Sequence, residues 1–152
     1  MHTSLGFELL DRHVVAGRAE LIACTDASGS LTYAKLTERA AELAGGLAML
    51  GVEPGEPVRI ELSPGNVLVT AVCAVIRLGA VPGTSADTLI AEVDGEVRVR
   101  RGEDDLDLAL VQRAGRAQPA PSLTQDSDGY RDAAVGEFGE IVQTLLSGAS
   151  VV

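Results

Sequence analysis

Lysine is nearly missing from this chain: Lys35 is the only one among 12 basic residues, and every other cation is an arginine. Any chemistry that requires a lysine amine can draw on that residue alone. Tryptophan is absent and aromatic residues make up 3% of the sequence. Leucine, valine, isoleucine and alanine must therefore build the core, as expected where helices pack on a parallel sheet. Cysteine is also scarce. Cys24 and Cys73 lie far apart, without a CxxC spacing or neighbouring histidines, which argues against a metal site or redox pair and for two buried free thiols. Positive charge is short overall: 12 basic against 22 acidic residues give a formal net charge of -10. Such a field repels polyanions, so nucleic acid is excluded as a partner. The longest apolar run, 67–78, is too short to cross a bilayer. Met1-His2-Thr3-Ser4 lacks the basic start and apolar run of a signal peptide. A cytoplasmic protein without a membrane partner is the expectation.

What is present suits one folded domain. A chain of 152 residues with 46% hydrophobic and 22% charged residues buries roughly two-thirds of its unfolded surface and needs neither metal nor disulfide. Residues 4–15 carry Leu5, Leu9 and Leu10 on one helical face, with Ser4 as N-cap and Gly17 beyond the end. Leu21-Ile22-Ala23-Cys24 reads as a strand, and the turn formers 26–30 lead through a hairpin to Leu31-Thr32-Tyr33. Leu36, Ala40, Leu43, Leu47 and Leu50 recur at spacings of three and four, predicting a helix over 32–50, capped by Thr32 and stopped by Gly51 and Pro54. Gly45 and Gly46 interrupt it at about 1 kcal/mol each relative to alanine, either to let another backbone approach or merely as tolerated residues.

The alternation in 57–62 predicts a strand covered on one face, the apolar run 67–78 a buried crossover helix, and 79–82 a second strand, together a βαβ unit with parallel pairing. Asp94-Gly95 is the preferred dipeptide of a two-residue turn between strands 88–93 and 96–101, with Ile90 facing Val99 and Glu92 facing Val97. Glu103-Asp104-Asp105, ahead of Leu106, Ala109 and Leu110 and with Arg113 and Arg116 at the far end, reads as the solvated acidic start of a short helix. Residues 115–128, with Gln118-Pro119-Ala120-Pro121-Ser122, read as an exposed linker. A helix over 130–146 has Phe138, Ile141, Val142 and Leu145 on its apolar side, and 149–152 reads as a last strand, either a true final sheet element or the stopping point of a copy of something longer.

The order of these motifs resembles the N-terminal part of adenylate-forming enzymes, the superfamily of AMP-dependent acyl-CoA synthetases, luciferases and nonribosomal peptide adenylation domains. Leu31-Thr32-Tyr33-Ala34-Lys35-Leu36 is similar to their opening motif. Leu50-Gly51-Val52-Glu53-Pro54-Gly55-Glu56-Pro57-Val58 resembles the turn after the first large helix. Val75-Ile76-Arg77-Leu78-Gly79-Ala80-Val81-Pro82 resembles the next helix end and strand, and Leu145-Leu146-Ser147-Gly148-Ala149-Ser150-Val151-Val152 a later helix-to-strand passage. The resemblance is continuous over 4–85. It implies an α/β fold: a partly parallel sheet with βαβ crossover helices, to which the 94–95 hairpin is added. The division expected is a single domain over 1–152, with a family-like core at 4–85, a hairpin and short helix at 86–114, the linker at 115–128, and a helix and strand at 129–152.

The departures bear on function. Lys35 stands where the family usually has glutamate, which removes half of the capping box. Adenylation spreads negative charge over phosphate oxygens and needs a Ser/Thr/Gly-rich loop and cations to stabilise it. The segment Gly83-Thr84-Ser85-Ala86-Asp87-Thr88 lacks the glycine repeat and the lysine, and reads as a strand-end turn. The ribose-binding aspartate and the lid with its catalytic lysine are also missing. His2 sits at the terminus, His13 near a helix end in a surface or capping role, and Ser28 and Ser30 in turns without a nucleophile elbow. No catalytic residue, metal ligand or cofactor is assigned, and cofactor-binding residues stay unknown. The expectation is a degenerate, non-catalytic ligase-like protein acting through protein contacts, by homodimerisation or with a partner enzyme, because a sheet cut from a larger fold exposes edges and an apolar face. The alternatives are a small-molecule binder for an acyl group or adenine nucleotide, its ligand at the strand ends near Leu62 and Pro82, and one half of a split ligase.

Overall fold

The computed structural model describes residues 4–83 and 87–152. His2 and residues 84–86 of the expected strand-end turn lie outside the described residues. The described residues begin in a helical segment with widened turns, Phe7–Asp11 and then Val14–Arg18. Ser4 caps it, its Oγ accepting from the Phe7 amide at 3.2 Å, and Leu5, Leu9 and Leu10 are buried. Strands β1 (Ile22–Asp26) and β2 (Gly29–Thr32) form the expected antiparallel hairpin.

Helix α1 (Tyr33–Met49) carries the predicted stripe, with Leu36, Ala40, Leu43 and Leu47 buried. Thr32 Oγ1 accepts from the Lys35 amide at 3.1 Å. The missing half of the capping box has its own outcome: Lys35 Nζ turns to Glu38 at 3.2 Å on the solvent side. Strand β3 (Pro57–Glu61), helix α2 (Asn66–Arg77) and strand β4 (Val81–Gly83) make the βαβ unit, β3 and β4 pairing in parallel. Strands β5 (Thr88–Val93) and β6 (Glu96–Arg101) pair through Asp94 and Gly95, both with positive φ (52° and 82°). The register is the expected one, Ile90 opposite Val99 and Glu92 opposite Val97.

The acidic run corrects the reading of a helix start. Asp104–Asp107 is strand β7, antiparallel to β6, and helix α3 begins only at Leu108 and runs to Gly115. The cause is non-local: Arg98 reaches Asp105 at 3.0 Å and Asp107 at 2.6 Å, and Arg100 reaches Asp105 at 3.6 Å. Opposite charges directly across a ladder stabilise the pairing. The sheet order is therefore β4-β3-β5-β6-β7, parallel over its first three strands and antiparallel over its last three.

One face of this sheet packs on the helices through Val58, Ile60, Ile90 and Val99. The other is not the apolar face that the reading of a truncated sheet implies. Register brings Arg59 and Glu61, paired to each other, beside Leu89 and Ala91, and these beside Arg100, Arg98, Asp105 and Asp107. Charged side chains thus clothe the open face, and the acidic edge strand β7 discourages strand-on-strand association there.

The glycines inside α1 have a packing role. α1 crosses α3 so closely that a Cβ at Gly46 would lie 2.7 Å from Val111 Cγ1, and one at Gly115 would lie 2.6 Å from the Gly46 nitrogen. Glu42, buried on α1, accepts from Gln112 Nε2 at 3.1 Å and pairs with Arg116 at 3.2 Å. Residues 115–128, though mostly exposed, are pinned to the body. The Ala120 amide donates to Ala41 O at 3.0 Å, Ser122 Oγ to Asp11 at 2.9 Å, and Asp126 accepts from the Leu5 amide at 2.8 Å.

The single helix expected over 130–146 is broken. Helix α4 (Tyr130–Val135) ends at Gly136, whose φ of 43° and ψ of -130° only glycine adopts readily, and a 3-10 turn (Gly136–Phe138) leads into α5 (Gly139–Leu146). The last strand reduces to a bridge: Val151 pairs in parallel with Cys24 of β1.

Candidate functional site

The N-terminal helical segment, α1 and the end of α5 meet around His13, which is 1% exposed and not at the surface. Its Nε2 donates to Leu145 O at 2.7 Å, so the capping reading holds in a different form: His13 caps the last turn of another helix. Its Nδ1 is buried without a partner among the described residues, and its ring meets Tyr33 edge-on at 4.7 Å between centroids. Tyr33 Oη donates to Ala149 O at 2.6 Å. Desolvation lowers the His13 pKa from 6.5, against the raising effect of the Leu145 carbonyl. The ring is a strut that ties the N-terminal helical segment to the end of α5.

A pH dependence follows. Because the folded state depresses the His13 pKa, unfolding takes up a proton at acid pH, and the stability His13 contributes is complete above its unfolded pKa and lost as pH falls through the folded one. In urea melts, the midpoint gap between the wild-type protein and His13→Gln should be constant above about pH 7 and shrink steadily below about pH 6.5. A gap that ignores pH would mean that His13 does not titrate in this window.

Beside this strut lies a cavity of about 890 Å3 between β1, the start of α2, α5 and the final residues. Its floor is apolar, formed by Leu68, Val69, Phe138, Ile141 and Val151, with Gln143, Thr144 and Ser150 adding hydrogen-bonding groups. Asp26, Glu137 and Glu140 are its ionisable lining residues apart from Cys24, so it holds three carboxylates and no cation among the described residues. The thiol of Cys24 is pushed up to about 11 by burial first and the charge of Asp26 second, and burial raises that of Cys73 as well. Neither is a thiolate nucleophile near neutral pH.

The start of α2 lines one wall, and a helix N-terminus normally invites an anion. Here Asp26 already takes that place: its Oδ2 accepts from the Asn66 amide at 2.8 Å, while Oδ1 accepts from the Ser28 amide at 2.8 Å and hydroxyl at 2.5 Å. These hydrogen bonds, the Ser28 hydroxyl first, hold the Asp26 pKa below the usual carboxylate range. The β1–β2 turn thus inserts its own anion at the start of α2.

The strand ends singled out in the sequence fare differently. The loop after Leu62 contributes Pro64 and Gly65 to the cavity. Pro82 does not line it; α4 packs on β4, and Tyr130 Oη donates to Ala80 O at 2.5 Å. Ser28 serves the turn and Ser30 Oγ bonds Thr25 Oγ1 at 2.9 Å. Lys35 points to Glu38, and the structure brings none of Lys35, His13, Ser28 and Ser30 into the cavity lining. The sequence reading put Phe138 and Ile141 on one apolar helix side with Val142 and Leu145; the latter two are buried, while Phe138 and Ile141 are half-buried, packed against the core and lining the cavity. No cluster of three or more His, Cys, Asp or Glu suited to a metal exists among the described residues, and no helix among them is long and apolar enough to cross a membrane.

The family model described as AMP-binding enzyme matches residues 11–93. No curated protein matches the chain by sequence. Among solved structures, the N-terminal subdomain of NpsA from Klebsiella oxytoca, in complex with 3-hydroxybenzoyl-AMSN, superposes with a TM-score of 0.63 at 18% identity, over 84% of this chain and 36% of that one. A benzoate CoA ligase from Burkholderia xenovorans LB400 gives 0.58 at 18% identity, over 85% of this chain and 31% of that one. The chain spans about a third of the length of these structures. Matched by the family model over more than half of its residues, and sharing the mixed α/β fold of these N-terminal subdomains, the chain belongs to the AMP-binding enzyme family.

Proposed function

We propose that this chain is a non-catalytic adenylate-forming-ligase-like protein that acts through protein contacts, and that the cavity between β1 and α5 is its contact surface. The observation that carries the reading is the chemistry of that lining: an apolar floor, three carboxylates, no cation among the described residues, and a helix N-terminus already occupied by Asp26. An adenylate or acyl carboxylate entering it would meet like charge with no cation in the lining to offset its desolvation. Four arginines elsewhere are committed to carboxylates. Arg77 serves Asp11, Arg98 serves Asp105 and Asp107, Arg101 serves Glu56, and Arg116 serves Glu42. The charged open face of the main sheet is the poorer candidate for a docking surface.

Calorimetric titration of the purified protein with magnesium-ATP, and with a stable acyl-adenylate mimic, should give no saturable heat, and ATP-pyrophosphate exchange should stay at background. Saturable heat would sink the contact reading in favour of a nucleotide or acyl binder, and exchange would revive the split ligase. The size of the cavity favours a second reading, since small-molecule pockets run from about 300 to 1,000 Å3. On its lining, such a ligand would be neutral or cationic rather than the acyl or adenine nucleotide of the family.

A further inference from the structure

The edge of the small sheet formed by β2, β1 and the final residues has been left half paired. Val151 directs both of its main-chain groups at β1: its N–H donates to Ala23 O at 2.8 Å, and its C=O accepts from the Thr25 amide at 3.0 Å. Strand alternation turns the main-chain groups of Ser150 and Val152 the other way, and both residues line the cavity. A strand edge that is unpaired among the described residues therefore runs along an apolar cleft, with Glu137 and Glu140 in its lining and neither in an ion pair among those residues. We infer that the occupant of this cleft is an extended segment of a partner protein, apolar at alternate positions and basic between them, which adds as a strand to the free edge at Ser150 and Val152. The inference rests on the proposed contact function and specifies its partner. Main-chain pairing would supply affinity, Phe138 and Ile141 the pocket for alternate side chains, and the two glutamates the selection for basic residues.

A second copy of the chain fits poorly. Each copy carries a net charge of -10, and the one segment with the required alternation, Val97-Arg98-Val99-Arg100, is already paired on both edges as β6.

The test uses the whole chain and three blocked, fluorescently labelled peptides read by anisotropy. One alternates valine and arginine, one alternates valine and glutamate, and the third is the valine–arginine peptide N-methylated at alternate residues so that one strand edge cannot pair. The first should bind saturably, and the other two about tenfold or more weaker, the loss expected for one or two hydrogen bonds or a reversed charge. Val152 is wholly exposed, so Val152→Pro removes an edge donor without touching the core and should weaken the first peptide about tenfold. Glu137→Lys with Glu140→Lys should reverse the preference between the two charged peptides. If Val152→Pro and N-methylation change nothing while Phe138→Glu abolishes binding, strand addition is overturned and the cleft contact stands. If the valine–glutamate peptide binds as well as the valine–arginine one, the basic partner is overturned. If no peptide binds, the inference is overturned outright, whereas the contact function falls only with saturable nucleotide heat.

Discussion

Replacing Arg77 by alanine should lower the unfolding free energy by about 3 kcal/mol, the scale of breaking a buried ion pair by removing one partner. Arg77 ends α2 with its side chain 8% exposed. Its Nη1 donates to Asp11 at 2.8 Å and its Nε to Ala120 O at 2.6 Å. Asp11 also accepts from Ser122 Oγ, so one guanidinium ties together α2, the N-terminal helical segment and the 115–128 crossing. Removing it strands a carboxylate only 18% exposed and a carbonyl at once. Arg77→Lys should restore only part of the loss, because an ammonium cannot present two donors in a fixed fork. Equilibrium urea unfolding with an unchanged m-value would measure it. A loss under about 1 kcal/mol would mean that water replaces the guanidinium and that the crossing is not held there. The same residue bears on function, since Arg77 lies in the segment that resembles the family and its charge is spent inside the protein.

The glycine crossing should be about as sensitive. Gly115→Ala should cost about 2–3 kcal/mol, the gain in helix propensity offsetting part of a larger overpacking penalty. The added Cβ would overlap Glu42 O on α1 and lie 2.8 Å from its carbonyl carbon. Backbone cannot rotate aside as a side chain can, so α1 and α3 would have to separate, opening the contact made by Val111. For a chain of this size the change corresponds to a fall in Tm of roughly 5–10 °C. Gly46→Ala meets Val111 O across the same crossing, so the double variant should cost less than the two single changes together, since one separation relieves both clashes. Equal stability of Gly115→Ala and the wild-type protein would show that the helices already stand further apart.

Where a pattern is local, the sequence was legible. The stripe from Leu36 to Leu47 and its Thr32 cap, the alternation in β3, the apolar α2 and the Asp94-Gly95 turn with its register each depend on neighbours within a few residues, and each is found. The cleft was not legible, apart from the loop after Leu62. Its walls come from residues 24–26, 64–69 and 137–152, and no periodicity relates segments so far apart. The acidic run at 103–105 misled for the same reason: a helix start and a cross-strand partner for arginine have the same composition, and Arg98 decides between them. His13 reads locally as a helix-end residue, yet Leu145 and Tyr33 arrive from other elements to bury it.

By itself the sequence determined the family, the βαβ unit, the positions of α1 and the two hairpins, and the shortage of cations, because motif order, periodicity and composition are properties of the chain taken in line. Only the tertiary structure decided where the remaining charges go. It put arginines opposite aspartates on the open sheet face, put Asp26 at the start of α2, and left an acidic, apolar cleft beside an edge unpaired among the described residues. Charge pairing and burial are set by distances through space, and those exist only once the chain has folded.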